Sequence, residues 1–180
     1  MSMLNANLIV MRHADAGPAA TGQSDFARTL SARGAREARC MGQWIARQLL
    51  PLKRVLASPA ARTRETVAAV LGPEPAAAAE VRWDPRLYLA ELPQLLDALG
   101  EELASPLLLV GHNPGLEYLL GHLLDAEDSP QSGALFMPTA GIYALDLQPR
   151  KGPPARGSAK LLAFVCPDHL DAGEPAPPAA

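Results

Sequence analysis

The sequence predicts an α/β protein, a three-layer α/β/α sandwich with a mainly parallel central sheet. Three observations predict it. Apolar runs at residues 8–11 and 106–110 are continuous rather than alternating, as in strands covered on both faces. Stretches with helical spacing follow strand-like runs repeatedly, at about 31–50, 58–72, 91–103 and 113–124. Two of those helices are announced at a strand's end by a capping residue and a proline, Ser58-Pro59 and Asn113-Pro114.

The elements follow in order. NLIVMRHADAG, residues 7–17, carries the first strand into Arg12 and His13, and Gly17-Pro18 then breaks regular structure. After a loop to about residue 30, Ser31 is placed to cap a helix. Ala35, Ala38, Met41, Ile45 and Leu49 form its apolar stripe, Arg36, Gln43 and Arg47 face water, and Pro51 ends it. Residues 53–57 read as a short strand. Ser58 as N-cap, Pro59 at the first helical position and Gly72 at the end then frame the second helix.

Residues 73–80 read as a Pro/Ala/Glu surface loop, 81–83 as a short strand and 91–103 as a helix. PLLLVGH, 106–112, is the clearest buried strand, and Asn113 is placed to cap the helix that ends near Leu124. Residues 141–147 and 160–166 read as two further strands, joined by a Pro/Gly/basic connector at 149–158. A single domain over 1–166 is expected, with 167–180, ending in DAGEPAPPAA, as a disordered tail.

Size and composition narrow the function classes. The 180 residues, 48% hydrophobic and 19% charged, suit one globular domain with a sizeable core. No apolar run approaches the roughly 20 residues of a membrane span. MSMLNANL lacks a basic segment followed by a long apolar one, so a cytoplasmic protein without membrane association is expected. Cys40 and Cys166 sit in apolar surroundings without metal-ligand spacing and read as inert core thiols. A net charge of −3 argues against a nucleic-acid partner. The 13 arginines against three lysines matter for another reason, because arginine grips phosphate through paired N–H groups.

Three segments deliver a polar group at the end of a strand: VMRH, VLASPAAR and LLLVGHNP. In open α/β sheets, ligands bind beyond the carboxyl ends of the strands. Arg62 lies in the first turn of its helix, and helical side chains lean back toward the amino terminus. Its guanidinium is therefore expected at the edge that carries Arg12, His13 and His112. Two arginines can clamp phosphate oxygens, a neutral imidazole can attack phosphorus, and a second histidine can meet the charge that develops. His122 reads as a surface or packing residue, and His169 needs no function.

The R-H of VMRHADA, the S-P-x-x-R-T of ASPAART and the G-H of LLLVGHNPG resemble the histidine phosphatase superfamily, whose fold is phosphoglycerate mutase-like. The chain is similar in particular to its small branch of SixA-type phosphohistidine phosphatases. DFARTLSARGAREA at 25–38 matches that branch's D-x-x-R-x-L-x-x-x-G segment, and MPTAGIYAL at 137–145 places Thr139 before the late strand. The resemblance covers about residues 7–166. It implies His13 as the nucleophile that becomes phosphorylated, with Arg12, Arg62 and His112 as the phosphate pocket and neither metal nor cofactor. Ser58 and Asn113 keep their roles as helix caps.

One departure stands out. Larger members of the superfamily supply a glutamate acid in an L-x-E context, and here Leu89 of DPRLYLA falls at that place. Glu91, Asp84 and Asp15 are the nearby substitutes. A weak acid suits a phosphohistidine substrate, because transfer to His13 exchanges one P–N bond for another. The short stretch from 63 to 111 leaves little room for a cap, so an open groove able to admit a protein surface is expected.

The expected function is thus a metal-independent phosphatase acting on protein phosphohistidine. The alternatives are a phosphatase of small phosphate esters or phosphorylated metabolites, and a non-catalytic phosphate-recognition module. A pure binder has no need of a nucleophile at position 13.

Overall fold

A computed structural model describes residues 4–49, 51–72, 79–102, 105–125, 135–149 and 151–171. The strands are β1 (Leu8–Arg12), β2 (Arg54–Ala57), β3 (Glu80–Trp83), β4 (Leu107–Gly111), β5 (Ile142–Leu147) and β6 (Ala159–Val165). The helices are α1 (Ala32–Gln48), α2 (Ala61–Leu71), α3 (Leu92–Gly100), α4 (Gly115–Leu123) and α5 (Pro167–Asp171). Short 3-10 turns lie at Asp25–Ala27 and Pro85–Leu87.

The sheet runs β3-β2-β4-β1-β5-β6. β1, β2, β3 and β4 pair in parallel, while β5 runs antiparallel to both β1 and β6. Alternate residues of the central strands feed opposite faces, as the two-residue period of a strand requires. Ile9, Met11, Val55 and Val110 pack under Ala38, Met41 and Ile45 of α1 and Val67 and Val70 of α2. Leu8, Val10, Leu56 and Leu109 pack under Leu95 and Leu99 of α3 and Leu116 and Leu120 of α4. With both faces covered, the central strands tolerate only apolar side chains. The three-layer architecture and mainly parallel sheet expected from the sequence are both present.

Two close backbone approaches set the helices. At Gly42 in α1, an added Cβ would collide with the Val70 carbonyl of α2, so the α1–α2 crossing needs glycine. At Gly115, the first residue of α4, it would collide with the Ala90 carbonyl, which locks the turn before α3 against α4.

Several boundaries differ from expectation. Ser31 does cap α1, accepting from Gly34 N–H at 3.0 Å. The buried face of α1 includes Gly34, Glu37 and Gly42 as well as the apolar stripe, while Ala35 is only half-buried. Glu37 is affordable there because it accepts from Asp15 N–H, the Arg33 Nε–H and the Thr139 hydroxyl.

The expected cap at Ser58 is not formed. α2 starts at Ala61, with Ala60 at the N-cap. Ser58 N–H still donates to the Val110 carbonyl, so the chain follows the sheet past β2 before it turns. Asn113 does not cap α4 either, because Pro114 holds the N-cap position.

The segment expected as a tail begins with structure. α5 packs near α1, Pro167 is buried, and the His169 ring meets the edge of Phe164. Residues 172–180 lie outside the described residues, as do residues 73–78 of the expected loop and Arg150 of the basic connector. Cys40 and Cys166 form no disulfide; Cys166 is buried, but Cys40 is half-exposed beside Arg36 rather than in the core.

Candidate active site

The carboxyl ends of β1, β2 and β4 meet at one edge, and there the structure brings Arg12, His13, Arg62 and His112 together. Backbone hydrogen bonds fix each approach. His13 N–H donates to the Gly111 carbonyl at 3.1 Å, and the His13 carbonyl accepts from Ala140 N–H at 3.2 Å. Ala14 N–H donates to the Thr66 hydroxyl, which donates to the Arg62 carbonyl at 2.7 Å. That relay ties the end of β1 to the first turn of α2.

The Arg62 side chain, only 3% exposed, organises the cluster. Its Nε donates to His13 Nε2 and its Nη2 to His112 Nδ1, each at 3.2 Å. A guanidinium can only donate, so both ring nitrogens must present lone pairs. The proton of His13 is then on Nδ1, donated to the Ala14 carbonyl at 2.8 Å. The proton of His112 is on Nε2, 2.8 Å from the Ser58 hydroxyl. The two imidazoles lie 5.1 Å apart, centre to centre.

Electrostatics agree with these tautomers. Burial lowers the His13 pKa to about 4, helped by the positive charges of Arg62, Arg12 and Arg28 and opposed by the Ala14 carbonyl. Burial lowers His112 to about 3, with His13 and Arg62 adding to the effect. Both rings are neutral at physiological pH.

Asp25, which the sequence reading did not select, holds the other side of Arg62. Nη1 donates to the Asp25 carbonyl at 2.7 Å and Nη2 to its carboxylate at 3.0 Å. That carboxylate also accepts from the Tyr88 hydroxyl at 2.7 Å and from Arg28 Nη1 at 2.9 Å. These donors, Tyr88 first, lower its pKa to about 2. The Tyr88 ring stands edge-on to His112 at 5.6 Å. Asp25 was visible in the D-x-x-R segment, but nothing in the spacing says that its loop folds over the end of α2.

Arg12 is held by the Met137 carbonyl, which accepts from its Nη1 at 3.0 Å. Asn113 steadies the same carbonyl at 2.9 Å and bonds Glu117 at 2.7 Å, so its role is to orient the Arg12 anchor rather than to cap. Arg12 Nε is buried without a protein acceptor, a donor available to an anion.

The three acid candidates lie elsewhere. Asp84 is buried under Arg86 and Arg82, which hold its pKa down, and it accepts from Arg86 N–H. Asp15 accepts from the Ser31 hydroxyl and from Ser31 N–H, securing the start of α1. Glu91 is exposed at the N-cap of α3. His122 bonds the Pro154 carbonyl at 3.1 Å, a packing role as expected.

Two neutral histidines and two arginines thus stand together at the carboxyl edge of a parallel sheet on an α/β sandwich, where such folds bind their ligands. Comparison with known proteins gives the lineage. The family model of the histidine phosphatase superfamily (branch 1) matches residues 8–88. The phosphohistidine phosphatase SixA of Escherichia coli (strain K12) is 31% identical over 126 residues, 68% of this chain and 77% of that protein. An uncharacterized protein of Mycobacterium leprae (strain TN) is 31% identical over 150 residues, 80% of this chain and 89% of its own. A structure of the protein histidine phosphatase SixA complexed with tungstate superposes with a TM-score of 0.71 at 26% identity, covering 91% of this chain and 99% of that one.

The chain belongs to the histidine phosphatase superfamily, in its SixA-type branch. That membership supports phosphatase activity. Among the described residues, no helix is long and apolar enough to cross a membrane.

Proposed function

We propose that the chain dephosphorylates protein phosphohistidine through a phosphoryl intermediate on His13. The observation that carries this reading is the unprotonated Nε2 of His13, held against Arg62 with its proton committed to the Ala14 carbonyl on the opposite side. A neutral imidazole so oriented is a nucleophile that needs no activating base.

In the first step His13 Nε2 bonds to phosphorus as the bond to the substrate's imidazole nitrogen breaks, and that nitrogen recovers its lone pair. In the second step water attacks phosphorus, the P–Nε2 bond breaks, and inorganic phosphate leaves with the water's proton passed to solvent. Arg12 Nε and the Nε/Nη2 side of Arg62 supply donors to the phosphoryl oxygens. His112, facing the same place with Nδ1, accepts the proton that the phosphoryl monoanion brings and returns it as a hydrogen bond to a phosphoryl oxygen. Arginine charge does the work otherwise done by a metal ion.

The choice of a P–N substrate rests on the acids. The carboxylate nearest the cluster, Asp25, stays ionised down to about pH 2 and so cannot protonate a departing alkoxide. An imidazole leaves with far less help. The SixA relative carries the name of a phosphohistidine phosphatase, and the SixA neighbour was seen with tungstate, a tetrahedral oxyanion. A cytoplasmic setting goes with this reading, supported by Cys40 and Cys166 forming no disulfide.

The test is a substrate panel of a phosphohistidine protein, free phosphohistidine, aryl phosphates and alkyl phosphates. The proposal expects kcat/KM to fall steeply in that order, with alkyl esters last. Alkyl phosphates as the best substrates would instead establish a metabolite phosphatase with an efficient acid.

A further inference from the structure

Among the described residues, the large hydrophobic side chains left exposed are Phe26, Leu89, Tyr118 and Phe136, at 42, 54, 47 and 64% exposure. All four are chain neighbours of residues that hold the site: Asp25, Tyr88, Glu117 and Met137. Phe26 follows Asp25 and meets the Tyr88 ring at 5.0 Å. Leu89 follows Tyr88, Tyr118 faces Leu89 across a groove, and Phe136 precedes Met137, whose carbonyl anchors Arg12. Apolar exposure gathered around a reaction site marks a contact surface rather than chance scatter.

Leu89 adds a second, independent observation. Its φ is +49°, a left-handed conformation that a leucine adopts only under strain. Little burial compensates for that strain, since Leu89 remains 54% exposed. The turn is nevertheless rigid, because Leu87 is fully buried on one side and Ala90 is pressed against Gly115 on the other. Strain held in place by its surroundings and spent on presenting an apolar group points to recognition. Beside it runs a groove of about 390 Å3 between Leu92 and Pro93 on one wall and Pro114 and Tyr118 on the other, with Glu91 at its lip.

We propose that this groove seats an apolar side chain that flanks the phosphorylated residue of a protein substrate. The inference rests on the phosphatase reading above and names how that site selects its partner. Charge fixes the register: the arginine-lined pocket takes the phosphoryl group, so whatever fills the groove is attached to that group. Separation selects a protein. None of Arg12, His13, Arg62 and His112 lines the groove, so its occupant stands apart from the phosphorylated group, as a neighbouring residue of a polypeptide does. Glu91 makes an acidic flank unfavourable. The position where relatives were expected to carry an acid therefore holds a recognition residue.

The test measures binding by the full-length His13→Ala protein, which retains the pocket without turnover, to phosphohistidine peptides flanked by Leu, Ser or Glu. Leu should exceed Ser by about tenfold, the scale of burying one such side chain, with Glu weakest. Adding Leu89→Asn, a residue at ease with positive φ, or Tyr118→Ser should erase the preference while leaving binding of inorganic phosphate unchanged. Equal binding of the three peptides, or a preference that survives both substitutions, would overturn the proposal. So would an equal gain with small aryl phosphates. The same peptides carrying phosphoserine separate the two readings. Flank preference without phosphohistidine turnover by the wild type would uphold the groove and sink the phosphohistidine assignment.

Discussion

Arg62 Nε lies 3.2 Å from His13 Nε2, with the guanidinium donating and the imidazole accepting. One contact thereby fixes the His13 tautomer and orientation. Replacing Arg62 by Ala should lower kcat by about 10²–10³, the usual cost of losing a preorganised donor to a transition-state oxyanion. Lys should recover little, since a point charge cannot bridge His13, His112 and Asp25 together. Steady-state kinetics on purified variants of equal thermal stability decides this, and a rate within a few-fold of wild type would remove Arg62 from the pocket.

Asp25 holds the arginine that the proposed mechanism offers to the phosphoryl group. Asp25→Ala should release Arg62 Nη2 while leaving Nη1 on the backbone carbonyl, lowering kcat through looser positioning. It should also strengthen inhibition by inorganic phosphate several-fold, because a carboxylate near the anion is gone. Asp25→Asn should restore part of the rate, since an amide oxygen still accepts from Arg62. Competitive inhibition constants check this, and unchanged constants would confine Asp25 to a purely local role.

The histidines set the pH behaviour. With His13 at about 4 and His112 at about 3, kcat/KM corrected for substrate ionisation should hold level through pH 6 and fall only near pH 4. An acid limb centred at about 6.5, the ordinary imidazole value, would contradict the burial argument. Stability carries the same sign. Above about pH 6.5 both rings are neutral in folded and unfolded chains alike, and they contribute no pH dependence. Below it the unfolded chain binds protons that the folded one refuses, so the melting temperature should drop between pH 6.5 and 4. His13→Asn should flatten part of that slope.

Much of this site was legible in the sequence because its parts follow from strand ends. An apolar run that stops at Arg12-His13 and another that stops at Gly111-His112 must place those groups at one edge of a parallel sheet. Arg62 could be added from the backward lean of helical side chains. Ser58 and Asn113 were misread for the opposite reason. Local capping preferences were overridden by tertiary partners, His112 for Ser58 and the Met137 carbonyl for Asn113. Asp25 and Tyr88 reach the site from a loop and a short turn, and no periodicity predicts where such segments fold. α5 escaped because its packing against α1 is a contact remote in sequence.

Chelation should leave activity intact, since Arg12 and Arg62 already provide the positive charge at the phosphoryl position. Assay after exhaustive EDTA treatment and desalting checks this. Loss restored by one divalent metal would require a different mechanism.

The account stands or falls on the covalent intermediate. Rapid-quench trapping of the full-length protein during turnover, followed by mass spectrometry and NMR of the modified ring, tests it directly. The expected result is an acid-labile, alkali-stable phosphoryl group on Nε2 of His13, missing from His13→Ala. A phosphoryl group on Nδ1 or on another residue, or full turnover by His13→Ala, would contradict it.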